Sequence, residues 1–141
     1  MFLGEYQHSL DAKGRVILPA KFRDQLEGGA VMARALDGCL AVYPVEEFQR
    51  VATTLQDARS RGATERQAAR SYFSGAVEIT PDKQGRVAIP APLREFAKLE
   101  REVIVAGNFD HLEIWDKPTF EQRDAAGQAS IAGGEGINDF L

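Results

Sequence analysis

Cysteine, histidine and tryptophan are scarce: the 141 residues hold one Cys, two His and one Trp. Cys39 alone can form no intrachain disulfide, and its neighbours Leu40 and Val42 predict a packed thiol. Cys39, His8 and His111 are too few to build the usual zinc site, so no metal and no other cofactor is expected. The phosphate-loop, dinucleotide and nucleophile-elbow patterns are all missing. Gly133-Gly134-Glu135-Gly136 has no strand signal before it and no helix signal after it, and reads as a linker. Asp11 and Asp82 each have an arginine close by in sequence, whereas a hydrolase keeps one acid unpaired to raise its pKa. These absences argue against an enzyme and against a small-molecule substrate. No apolar run approaches the ~20 residues that span a membrane. Met1-Phe2-Leu3-Gly4-Glu5 lacks a signal peptide's basic start, so a cytoplasmic protein is expected.

An overall basic excess is missing too. The formal net charge is −4, which at first sight disfavours nucleic acid as a partner. The distribution reverses that impression. Residues 1–70 carry 10 Lys+Arg against 9 Asp+Glu, and residues 71–141 carry 7 against 12. Within 11–23, Lys13, Arg15, Lys21 and Arg23 face Asp11 alone, a local net of +3. One basic edge on an acidic body binds DNA weakly as a single copy, because affinity scales with the phosphates neutralised. Multiplying that edge by oligomerisation offsets the weakness.

What is present is a duplication. Asp11-Ala12-Lys13-Gly14-Arg15-Val16-Ile17-Leu18-Pro19-Ala20-Lys21-Phe22-Arg23 returns as Asp82-Lys83-Gln84-Gly85-Arg86-Val87-Ala88-Ile89-Pro90-Ala91-Pro92-Leu93-Arg94, with seven of thirteen positions identical. Leu40-Ala41-Val42-Tyr43 aligns with Leu112-Glu113-Ile114-Trp115, and Phe48 with Phe120. Asp-x-x-Gly predicts a tight turn, with Gly14 and Gly85 at positive φ. The apolar run after each arginine predicts a strand, and Pro19 or Pro90 stops it. Phe22 and Leu26, and Leu93 with Phe96 and Ala97, predict a short amphipathic helix. Asp11 and Asp82 can each orient the arginine four residues on through a charge-assisted hydrogen bond. An oriented guanidinium suits phosphate oxygens or the guanine edge.

These motifs, with Tyr6-Gln7-His8-Ser9-Leu10 before the first and Ser71-Tyr72-Phe73-Ser74-Gly75-Ala76 before the second, resemble the MraZ family over about residues 1–123. The resemblance implies an α+β fold: a tandem of AbrB-like swapped-hairpin, β-barrel-like halves with connecting helices. It also implies a ring of subunits and a transcriptional regulator that binds double-stranded DNA. The implied target is the promoter of the division and cell-wall gene cluster containing its own gene. On this chain the DNA contacts fall to Arg15, Arg86, Lys13, Lys83 and Lys21. Asp11, Asp82, Gly14 and Gly85 are the orienting residues. Gln84 stands where the first copy has Lys13, so Lys83 is offset by one position. The other readings are an antidote-type protein-binding module and a structural ring-forming protein.

The expected organisation is a first repeat at 1–47, a helical connector at 48–75, a second repeat at 76–123 and a flexible tail at 124–141. Halves of about 70 residues are small for independent stability, which predicts that they interlock. Residues 5–10 and 15–18 are expected to pair as a hairpin with Lys13 and Arg15 at its tip. Asp37-Gly38 predicts a type I′ hairpin turn. Phe48, Val51, Ala52 and Leu55 predict a helix to about Arg59, and Thr64-Glu65-Arg66-Gln67 resembles a capping box for a second. Arg59, Arg61, Arg66 and Arg70 read as a solvated face paired with Asp57 and Glu65. Asp116 is expected to cap a last helix that begins near Pro118.

Overall fold

A computed structural model describes all 141 residues. The first half runs β1 (Glu5–Ser9), β2 (Arg15–Ile17), α1 (Ala20–Arg23), β3 (Ala30–Arg34), β4 (Leu40–Pro44) and α2 (Val45–Ala58). Helix α3 (Ala63–Gly75) leads to the second half: β5 (Val77–Ile79), β6 (Arg86–Ala88), α4 (Ala91–Phe96), β7 (Glu102–Gly107), β8 (Leu112–Asp116) and α5 (Lys117–Ala132). The fold is α+β, with the strand–helix order of one half repeated in the other.

The expected local hairpin is not formed. β1 does not pair with β2; it pairs antiparallel with β7, and β5 pairs reciprocally with β3. Each half therefore donates its first strand to the other. β4 and β8 also pair, giving one sheet in the order β1-β7-β8-β4-β3-β5. β2 and β6 form a separate two-stranded ribbon. The pairs Val16↔Val87 and Ala41↔Glu113 match equivalent positions of the repeat, so a pseudo-twofold axis passes through both. No hydrogen-bonded ladder joins the ends of the large sheet, so it is not a closed barrel.

Pairing across halves puts both in one core. Val16, Leu18, Phe22 and Met32 pack in the same cluster as Val87, Ile89, Leu93 and Val105. Phe22 and Leu93 hold equivalent places and are fully buried, whereas Phe96 turns outward beside Arg34. Cys39 is buried, and burial first, then the Glu113 charge, pushes its thiol pKa up to about 12. At that pKa almost no reactive thiolate exists at neutral pH.

Several local expectations are corrected. Asp37 and Gly38 both have positive φ, but the loop is wider than a two-residue turn, and Ala35 N–H closes it on Cys39 O at 2.9 Å. Helix α3 starts after Gly62 with no side-chain cap, so the capping box does not form; the positive φ of Gly62 (165°) is simply extended backbone. Arg59, Arg61, Arg66 and Arg70 are exposed, yet none pairs with Asp57 or Glu65. Asp116 does cap α5, accepting from Thr119 N at 3.4 Å and Thr119 Oγ1 at 3.0 Å. α5 continues to Ala132, so the stretch read as a tail begins as helix.

Candidate nucleic-acid interface

The two turns are built alike. Asp11 Oδ1 accepts from Lys13 N and Arg15 N, both at 2.9 Å, and Oδ2 accepts from Arg15 Nε at 2.7 Å. Asp82 Oδ1 accepts from Gln84 N and Arg86 N at 2.9 Å, and Oδ2 from Arg86 Nε at 2.8 Å. Asp11 N and Asp82 N donate back to Arg15 O at 2.9 Å and Arg86 O at 3.0 Å. One carboxylate thus fixes both the turn and the arginine. The backbone N–H of Arg15 or Arg86, followed by the guanidinium, holds each aspartate pKa below the usual carboxylate value. A depressed folded pKa stabilises the turn above the ordinary carboxylate pKa, and the benefit is lost as pH falls below it. At neutral pH both turns are locked.

Only Nε of each arginine is engaged by the aspartate; neither Nη group has a partner in the chain. Both forks are free for an acceptor. The ribbon register sets where they lie: Arg15↔Ala88, Val16↔Val87, Ile17↔Arg86. Strand alternation sends Val16 and Val87 into the core and puts Arg15, Ile17, Arg86 and Ala88 on the outer face. Arg15 and Arg86 are diagonal neighbours there, roughly 7–8 Å apart at Cα. Sequence reading treated them as two hairpin tips; the structure unites them on one ribbon.

Gly14 and Gly85 are buried with φ of 74° and 80°. A Cβ at Gly14 would collide with the Arg94 guanidinium, and one at Gly85 with that of Arg23. Arg23 Nε is held by Leu18 O at 2.8 Å, and Arg94 by Ile89 O. Leu18 N reaches Gly85 O at 2.9 Å, and Ile89 N reaches Gly14 O at 3.0 Å. Each turn therefore rests on the arginine of the opposite half. Arg23 and Arg94 were missed as site residues, although both recur as the last identical position of the repeat. Lys13 and Lys83 are exposed at the turns. Lys21 lies apart: its Nζ sits 5.0 Å from the Tyr6 ring centroid and 5.2 Å from that of Phe22.

Gly14→Val is expected to do more than misplace Arg15. A β-branched residue at that φ costs at least ~1–2 kcal/mol, and Arg94 must also leave its carbonyl. Chemical denaturation should show that loss together with weakened DNA binding. Unchanged stability would refute the packing of Arg94 on Gly14.

Comparison with known proteins gives one family. The family model described as "MraZ protein, putative antitoxin-like" matches residues 1–71 and again 72–132. A protein of Desulforamulus reducens named "Transcriptional regulator MraZ" is 42% identical over 142 residues, covering all of both chains. Proteins of the same name from Pediococcus pentosaceus and Salinispora arenicola are 46% and 44% identical. The first covers 86% of this chain and 85% of its own, the second 94% and 93%.

Proposed function

Because the chain belongs to the MraZ family, we propose that it is a transcriptional regulator, not an enzyme, and that the β2–β6 ribbon binds double-stranded DNA sequence-specifically. The observation that carries this reading is the pair of carboxylate-oriented arginines, with free Nη groups, on one exposed ribbon face. The major groove admits a two-stranded ribbon, and a guanidinium fork matches guanine O6 and N7. Lys13 and Lys83 at the turns supply phosphate contacts, with Lys21 further along the same half. The chain's net charge of −4 lowers non-specific attraction to DNA.

A single ribbon carries few positive charges, so the functional unit is a homo-oligomer, a ring that presents several ribbons to repeated short boxes. The target is the promoter of the division and cell-wall gene cluster that includes its own gene, which places the protein in the cytoplasm on the nucleoid. No helix is long and apolar enough to cross a membrane. The test is a binding titration against the DNA upstream of its own gene and against scrambled DNA, at several salt concentrations. Tighter binding to the upstream DNA, weakening as salt rises, is expected. Equal affinity for the two DNAs overturns sequence-specific recognition. No binding to either leaves the antidote-type and structural readings.

A further inference from the structure

The first turn has a neighbour that the second lacks. Strand register fixes which residues correspond. His8↔Val103 and Ile79↔Ala30 are equivalent pairs, because His8 and Ile79 stand three residues before Asp11 and Asp82. Counted back from those partners, Leu99-Glu100-Arg101-Glu102 stands where the first half has Leu26-Glu27-Gly28-Gly29. The Leu-Glu step recurs, but Arg101 and Glu102 replace two glycines. β1 leads into the first turn and pairs with β7, so the second half brings Arg101 to that turn. The second turn, after β5, meets Gly28 instead.

The backbone fixes where Arg101 lies. Leu10 N donates to Arg101 O at 2.8 Å, and Asp11 N, next in the chain, donates to Arg15 O at 2.9 Å. Arg101 and Arg15 therefore flank one stem, about two strand spacings apart at the backbone, ~10 Å. Pro81 stands where the first half has Leu10, and it has no N–H to make the matching bond. The Arg101 side chain is 84% exposed. Its Nε is 4.0 Å from Glu102 Oε1, too far for a hydrogen bond, and Glu102 is already held by Gln7 and Ser9 at 3.1 Å. An open groove of about 570 Å³ lies between the first turn and the loop after α4, lined by Asp11, Ala12, Arg94, Glu100 and Arg101. There Arg94 and Arg101 stand against Asp11 and Glu100, and Arg15 already pairs with Asp11.

We infer that Arg101 is a further DNA contact, and that a backbone phosphate sits against it when Arg15 enters the major groove. This inference rests on the DNA-binding reading above and extends its surface beyond the ribbon. The major groove is about 12 Å wide. A side chain ~10 Å beside a base-reading arginine stands at the phosphate rim, not over the base edges. A free guanidinium suits phosphate oxygens there. The first turn thus carries one phosphate contact more than the second, and the extra one comes from the other half of the chain.

The test is a titration of wild type, Arg101→Ala, Arg101→Lys and Arg59→Ala on upstream and scrambled DNA at several salt concentrations. Circular dichroism confirms folding, which should survive because only the backbone of Arg101 is engaged by the first turn. Arg101→Ala should weaken binding to both DNAs alike, on the order of tenfold at about 0.1 M salt, and lower the salt slope by about one per engaged copy. The preference for upstream DNA should stay. Arg101→Lys keeps the charge and should keep the slope. Arg59→Ala removes the same charge from the helical connector and should bind as wild type does. Equal losses in Arg59→Ala and Arg101→Ala would show an effect of net charge alone and overturn the contact. An unchanged slope in Arg101→Ala overturns it too, and a lost preference overturns its assignment to phosphate. Each of those results leaves DNA binding by the ribbon standing. A wild type that binds neither DNA overturns both readings.

Discussion

Arg15→Ala is expected to abolish the preference for upstream DNA over scrambled DNA. Its Nη groups are the unpaired part of a side chain that Asp11 already holds, so little ordering cost remains on binding. A guanidinium that reads a base edge is worth ~1–3 kcal/mol per engaged site, and a ring multiplies that loss. If Arg15 touched only phosphate, binding would weaken equally on every sequence, and the salt slope would fall by about one per contact. Arg86→Ala should be milder. The two geometries match, so the difference comes from surroundings: Lys13 stands two residues before the first arginine, where Gln84 stands before the second. Titrations of wild type and both variants on operator and scrambled DNA at several salt concentrations decide the matter. Equal losses overturn the asymmetry, and an intact preference in Arg15→Ala overturns base readout.

Phe22→Ala is expected to cost ~3–5 kcal/mol, a large part of a small protein's whole stability. Phe22 is fully buried, with the Phe2 ring 5.6 Å away and the Tyr6 ring 5.5 Å away, edge-on. β1 carries Tyr6 and pairs with β7, so the cavity opens between the halves instead of inside one. Denaturation should therefore remain a single transition that shifts as a whole. Leu93→Ala, at the equivalent place in the second half, should move that same transition by ~2–5 kcal/mol. Two transitions that respond separately would show that the halves fold independently.

Local chemistry was legible residue by residue. Asp11 and Asp82 predicted turn and arginine together, because an Asp-x-x-Gly-Arg run satisfies its own hydrogen bonds within five residues. The prolines after the strands, the Phe22 face and the Asp116 cap have the same local cause, and the structure places all of them as read. Thr64 resembled a capping residue, yet α3 opens at Gly62, where the turn after α2 sets the boundary. The Arg59–Arg70 cluster was read as paired with neighbouring acids. Its nearest acids in sequence take no part.

By itself the sequence determined the duplication, the two oriented arginines and the interlocking of two halves too small to stand alone. Only the tertiary structure decided which strand pairs with which. A strand's alternation specifies the face it buries but not its partner, and β1 meets an apolar surface equally well on β2 or on β7. Burying both halves in one core selects β7. That choice frees β2 to pair with β6, which sets Arg15 beside Arg86 and rests each turn glycine on an arginine from the other half.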